Sequence, residues 1–220
     1  MNPPSAQAHS IPVFINCRDR VSDLKVLVNW FECAGSEHII FLDNASTYPP
    51  LLEFYKTQGA RVHYLGQNLG HHCLFKSGLQ PEGPFFLTDP DLVPLGPPAG
   101  LEYLWDLSQR YVEYQRIGFG LEMDGATAPP QIIAWEQEFW RPSRQLEPGV
   151  FDAPIDTTLA LWMPGRTKNG IRTGRPHVMK HSSYFSDYSN RASFSEEDEY
   201  YLSHVEGTVS GWAEDIKRYG

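Results

Sequence analysis

Thr88-Asp89-Pro90-Asp91 places two carboxylates one residue apart, directly after the apolar run at 83–87 (GPFFL). Carboxylate oxygens suit Mg²⁺ and Mn²⁺, and an ion held by such a pair can bridge a protein to a diphosphate. Pro90 stiffens the turn, which lowers the entropy lost when it closes on a ligand. Acidic turns of this kind are common, so the weight of the pair comes from its position. Polar residues follow three earlier apolar runs in the same way: Asn16, Arg18 and Asp19 after the first, Asp43 and Asn44 after the second, Asn68 after the third.

Those runs, at 11–16 (IPVFIN), 38–42 (HIIFL), 60–65 (ARVHYL) and 83–87, read as short buried strands. Helical segments lie between them. Ser22 is a cap candidate for a helix with Leu24, Leu27, Val28 and Phe31 on one face and Gly35 as its stop. Pro49 and Pro50 suit the first turn of a helix carrying Leu51, Phe54 and Tyr55, ended by Gly59. Asn68 leads into a segment reaching Gly78. The βαβαβαβ order predicts an α/β fold with a mainly parallel sheet and helices on both faces. In such sheets ligands bind at the carboxyl ends of the strands, where the polar residues gather.

The second half is less regular. Residues 117–122, 131–134 and 157–162 read as strands, and the Gly- and Arg-rich stretch 165–176 as a flexible basic loop. Ser195 and Asp198 predict the start of a helix carrying Tyr201, Leu202 and Val205. A last helix is expected over 210–219.

The whole chain, 220 residues with 41% hydrophobic side chains, is read as one domain, with 11–95 forming a ligand-binding half and 96–220 a second half. The net charge of −9, without a long Lys or Arg run, argues against nucleic acid as a partner. A small phosphorylated ligand stays possible where a divalent ion supplies positive charge. Cys17, Cys33 and Cys73 form no C-x-x-C pair, which points away from a disulfide framework or structural zinc and toward a reducing, cytoplasmic setting. The N-terminus lacks a signal pattern, and no stretch nears the roughly 18 apolar residues of a membrane span.

Within 11–95 the motifs IPVFINCRDR, FLDNAST, LGQNLG and FFLTDPD resemble, in order and spacing, a GT-A fold glycosyltransferase close to glycosyltransferase family 2. The resemblance implies a Rossmann-like first half that binds a nucleotide-diphosphate sugar, with UDP the expected nucleotide. Asp43 would hold the uracil or ribose, with Asn16 and Arg18 beside it. Asn68 would order the neighbouring loop. Asp89 would face the sugar or ribose and share the metal, Mn²⁺ or Mg²⁺, with Asp91. The sequence departs from the family after N-L-G, where it carries His71, His72, Cys73 and Lys76; Lys76 is a candidate donor contact, or a solvated surface lysine.

Farther on, Trp135-Glu136 before Arg141-Pro142, followed by Ile155-Asp156, is similar to the acceptor side of GT-A glucuronyltransferases. That similarity implies an acceptor site built by Trp135, Glu136 and Asp156. Trp135 or Trp140 would stack on a sugar face. HSSYF resembles a late histidine segment of bacterial relatives and makes His181 the third metal ligand, with His177 competing. An inverting transfer needs a base. Asp156 is the first choice and Glu136 the second, because no Asp or Glu lies between Thr157 and Lys180. A retaining route needs none, so the stereochemistry stays open. The expected acceptor is a carbohydrate or glycoconjugate, and the chain could be one domain of a longer polypeptide. The alternatives are a non-catalytic sugar-binding module on the same fold and a metal-dependent nucleotidyltransferase or phosphohydrolase.

Overall fold

The computed structural model describes residues 8–155, 158–187, 189–204 and 214–215. The first half follows the expected alternation: β1 (Val13–Cys17), α1 (Ser22–Cys33), β2 (Ile39–Asp43), α2 (Pro49–Gln58), β3 (Val62–Tyr64), α3 (Cys73–Lys76) and β4 (Phe85–Thr88). The second half contains β5 (Leu92–Pro94), α4 (Gly100–Arg110), β6 (Tyr114–Leu121), α5 (Pro130–Gln137), β7 (Gln145–Glu147), β8 (Val150–Asp152), β9 (Ala160–Trp162), β10 (Lys168–His181) and α6 (Glu196–His204).

All the strands join one sheet in the order β3-β2-β1-β4-β9-β6-β10-β8-β7, with β5 paired to β10. The first four are parallel to one another, as expected. The sheet as a whole is mixed, because β9 runs antiparallel to both β4 and β6, and β10 is antiparallel to β5 and β8. This corrects the expectation of a mainly parallel sheet. The double reversal at β9 has a useful result. It turns β6, and its parallel partner β10, to the same direction as β1, β2 and β4. Asp43, Thr88, Leu121 and His181 therefore end their strands on one sheet edge.

Strand alternation sorts the core onto two faces. Val13, Ile15 and Cys17 of β1 pack with Leu24, Leu27 and Phe31 of α1, Leu51 and Tyr55 of α2, and Leu104 of α4. Phe14 points the other way, onto Cys73 and Leu74 of α3 and Phe85 and Leu87 of β4. Helices thus cover both faces, and each fully buried Leu or Phe contributes about 1.5–3 kcal/mol.

Three local readings change. The apolar run 131–134 belongs to α5, which Pro130 opens from its first turn; so short a run carries no period to separate strand from helix. The stretch 165–176 is no loop but the greater part of β10. There Gly170 lies so close to the Ala153 carbonyl that a Cβ would sit 2.9 Å from it, so the glycine serves strand packing rather than flexibility. Ser22 does not cap α1, whose first amides are met from elsewhere: the Glu197 carboxylate accepts from the backbone N–H of Val21 (3.0 Å) and Ser22 (3.1 Å) and from the Ser22 hydroxyl (3.1 Å). Ser195 and Asp198 do cap α6 reciprocally, each side chain accepting from the other's N–H at 3.1 Å. Val205 and most of 210–219 lie outside the described residues. Among the described residues no helix is long and apolar enough to cross a membrane.

Candidate functional site

The last residues of β10 return alongside β5, pairing His181 with Leu92 and Lys180 with Val93, and the Ser182 amide donates to the Asp91 carbonyl at 3.0 Å. This ladder carries His181 across about ninety residues of sequence to the acidic turn. Its Nε2 stands 3.8 Å from Asp91 Oδ1. The imidazole is held in that aim from behind: Nδ1 meets the Ser183 hydroxyl at 2.7 Å, and the ring stacks on Tyr184 with centroids 4.9 Å apart. A partner on the far ring nitrogen is the usual way a ligating histidine is oriented. His177, the competing candidate, instead stacks on Tyr103 of α4 at 4.4 Å, where burial lowers its pKa.

An oxygen and an imidazole nitrogen 3.8 Å apart are close enough for one ion bonded at about 2.1 Å to touch both. Mg²⁺ and Mn²⁺ sites are commonly built this way, from one or two protein donors completed by phosphate and water. Among the described residues no group of three or more His, Cys, Asp or Glu side chains gathers to hold a metal. Asp89 therefore does not complete a three-donor set with Asp91 and His181, as the sequence had suggested. Its carboxylate is turned to Asn16, whose Nδ2 donates to it at 3.3 Å.

Arg20 is the residue of this cluster that sequence reasoning passed over. The residue is 5% exposed, and its guanidinium lies 3.9 Å from Asp91 and 2.9 Å from Asp198 and covers the Tyr201 ring. Burial works against its charge, but the Asp91 and Asp198 carboxylates outweigh that and hold its pKa above the ordinary value. A fixed positive charge thus stands beside the acidic turn.

The residues that the sequence placed on the nucleotide side form a second, mostly buried network. The Asn16 side-chain oxygen accepts from Asn44 Nδ2 and from the Cys73 thiol, the latter at 3.1 Å, which leaves the Asn16 amide nitrogen pointing at Asp89. Burial pushes the Cys73 thiol up to about 11, so it stays a donor at neutral pH. Asn44 also accepts from the Leu69 amide at 3.0 Å and donates to the Gly70 carbonyl at 3.3 Å, tying the strand-two turn to the N-L-G loop. Asn68 accepts from the Gly70 amide at 3.0 Å and so shapes that loop locally. Lys76 is exposed and donates to the Leu69 carbonyl at 2.8 Å. Arg18 donates to the carbonyls of Asn44 (2.5 Å) and Ala45 (2.8 Å), and Asp19 accepts from the amides of Thr47 (2.6 Å) and Tyr48 (2.8 Å). These two side chains brace the loop between β2 and α2, in which Ala45 takes φ of 57°, an unusual value for a residue with a Cβ.

Asp43 is 3% exposed, accepts from Tyr55 Oη at 3.2 Å and from the Ser46 amide at 3.3 Å. Burial is the largest influence on it and raises its pKa despite those bonds. A raised carboxylate pKa means the folded state favours the proton. That contribution is full below the unfolded value of about 3.9 and is lost as pH rises through the folded pKa. At pH 7 the ionised Asp43 is therefore a burden on stability. Asp43→Asn is expected to melt higher than the parent at pH 7 and to lose that advantage near pH 3. Thermal melts at the two pH values check it; an Asn variant that melts lower at pH 7 would refute the expectation.

The acceptor-side candidates separate. Glu136 is 1% exposed and bonded to Arg172, itself 2% exposed, at 2.6 Å. Arg172 further donates to the Pro154 carbonyl at 2.6 Å and lies over the Phe139 ring. Glu136 is thus enclosed in a buried ion pair, a placement that argues against its reading as base or acceptor contact. Trp135 is 51% exposed and free to stack on a ligand. Asp156 lies outside the described residues. No protein-family model matches the sequence, and no curated protein matches it.

Proposed function

We propose that the chain is a metal-dependent glycosyltransferase of GT-A architecture that moves a sugar from a nucleotide diphosphate, with UDP favoured, to a carbohydrate or glycoconjugate acceptor. The observation that carries this reading is the meeting of Asp91 with His181 on the sheet edge where Asp43 and the Asn16–Asp89 pair also end. When bound there, a divalent ion would neutralise charge on the leaving diphosphate. Asp91 and His181 would hold the ion, and Ser183 would keep the imidazole turned toward it. Asp43 would take the base or ribose, and Asn16 would fix Asp89 facing the ribose or sugar. Trp135 is suited to an acceptor, and Asp156 remains the first choice for a proton acceptor.

Melting-temperature measurements with UDP, GDP and UDP-glucose, each with and without Mn²⁺, test the reading. A true ligand at about a hundred times its Kd is expected to raise the melting temperature by roughly 5 °C or more, and to do so only with the ion present. Binding without turnover would favour a sugar-binding module; a response to nucleoside triphosphates alone would favour nucleotidyl transfer. Arg20 supports one second reading, in which its guanidinium supplies the positive charge and EDTA leaves transfer intact.

A further inference from the structure

A cleft of about 370 Å³ opens where β6 and β10 approach the same sheet edge. This volume falls within the range of small-molecule sites, about 300–1,000 Å³. Its walls include Leu121, Trp140, Phe151 and Val178, and its rim Glu122, Asp124 and Arg175. Beside it the pairing of β10 with β6 slips between Thr173 and Val178, and Arg175, within the slipped stretch, is exposed. Glycines on both strands make room for the indole. A Cβ on Gly120 would lie 2.4 Å from the Trp140 ring, and one on Gly174 would lie 3.4 Å from both Trp140 and Phe151. Trp140 and Phe151 meet edge to face at 5.4 Å, so the apolar wall is fixed.

The rim is prepared in a different way. One Glu122 oxygen accepts from the Met123 and Asp124 amides, each at 2.9 Å, and the other from Arg175 Nε at 2.7 Å. The Arg175 bond is the main reason that the Glu122 pKa is held below the usual range. Arg175 also pairs with Asp124, so two carboxylates stand against one guanidinium and the rim is net negative. A sugar's ring carbons carry C–H groups that suit an indole, and its hydroxyls suit carboxylate acceptors. A second negative charge would be repelled.

We propose that this cleft binds an uncharged hexopyranose, packed on Trp140 with a hydroxyl donating to Asp124, while Glu122, its lone pairs already taken by two amides and Arg175, holds the rim in place. Resting on the glycosyl-transfer reading, it is the acceptor subsite, a role for which the sequence had favoured Trp135, Glu136 and Asp156, with Trp140 as an alternative stacking residue. It lies on the edge that carries the Asp91–His181 pair, so acceptor and donor would meet there.

The test is saturation-transfer NMR on the whole protein with the methyl glycosides of glucose, mannose and galactose, alongside methyl glucuronide and 1-octanol. At least one methyl hexoside is expected to receive saturation at its ring C–H protons, and methyl glucuronide and octanol less or none. Gly174→Val, which intrudes on the cleft, and Asp124→Asn, which removes the accepting charge, are each expected to weaken that binding at least tenfold. Both should leave the thermal response to UDP and Mn²⁺ unchanged. The proposal is overturned if no methyl hexoside binds, if octanol or the glucuronide binds in preference, or if neither variant weakens hexoside binding. Hexoside binding without a nucleotide response would sink the donor reading and keep the cleft as a sugar site. The reverse result would sink this inference alone.

Discussion

On the glycosyl-transfer reading, Asp91→Ala is expected to lower sugar transfer by about a hundred- to a thousandfold and to abolish the Mn²⁺-dependent thermal response to UDP, while leaving the fold intact. The magnitude follows from removing one of the two protein donors proposed to hold an ion that would carry leaving-group charge, where single electrostatic contacts are worth about a hundred- to a thousandfold. The fold should survive because Arg20, the other neighbour of that carboxylate, keeps its 2.9 Å bond to Asp198. His181→Ala should follow in the same direction with a smaller loss, because a water or phosphate oxygen can take the vacated position. Transfer assayed over a Mn²⁺ titration distinguishes the outcomes. An Asp91→Ala protein that transfers sugar at the parental rate, and still needs the ion, would place the metal elsewhere.

Glu136→Ala should destabilise the protein by about 3–5 kcal/mol, the usual cost of leaving a buried charge without its partner. Arg172 would remain at 2% exposure with its guanidinium bonded to the Pro154 carbonyl and facing the Phe139 ring. Urea unfolding measures the loss directly, and a fall in melting temperature of about 10 °C should accompany it. A Glu136→Met, Arg172→Met double variant should recover most of that stability, since two apolar side chains of similar volume commonly replace a buried ion pair without loss. A catalytic base behaves otherwise: Glu136→Gln would then lose kcat and keep its stability. That pattern would return Glu136 to the reacting centre.

The first half was readable because its signals were local. Four apolar runs of strand length, Pro49-Pro50 at a helix start and Gly35 and Gly59 at helix ends each act within a few residues. The second half was hidden by tertiary effects. Residues 165–176 have the composition of a loop, yet they become strand because Arg172 finds Glu136 and because Gly170 admits the Ala153 carbonyl. The acidic turn was visible from spacing, and His181 from a family resemblance. The reason they meet was not, because it depends on β5, a three-residue strand with no pattern of its own. Arg20 was passed over for a similar reason: its partner Asp198 lies far along the chain and is brought close only by the docking of α6.

The Glu197 contacts with Val21 and Ser22 close a circuit of more than 170 residues. A nascent chain leaving the ribosome in order can form β1, α1 and β2 early, yet the exposed amides at the head of α1 must wait for water to be displaced by a carboxylate made 175 residues later. Contacts of such long separation are costly to form first and are gained last. The segment around Asp91 and Arg20 is therefore expected to acquire its final order only after the sheet beneath it has set.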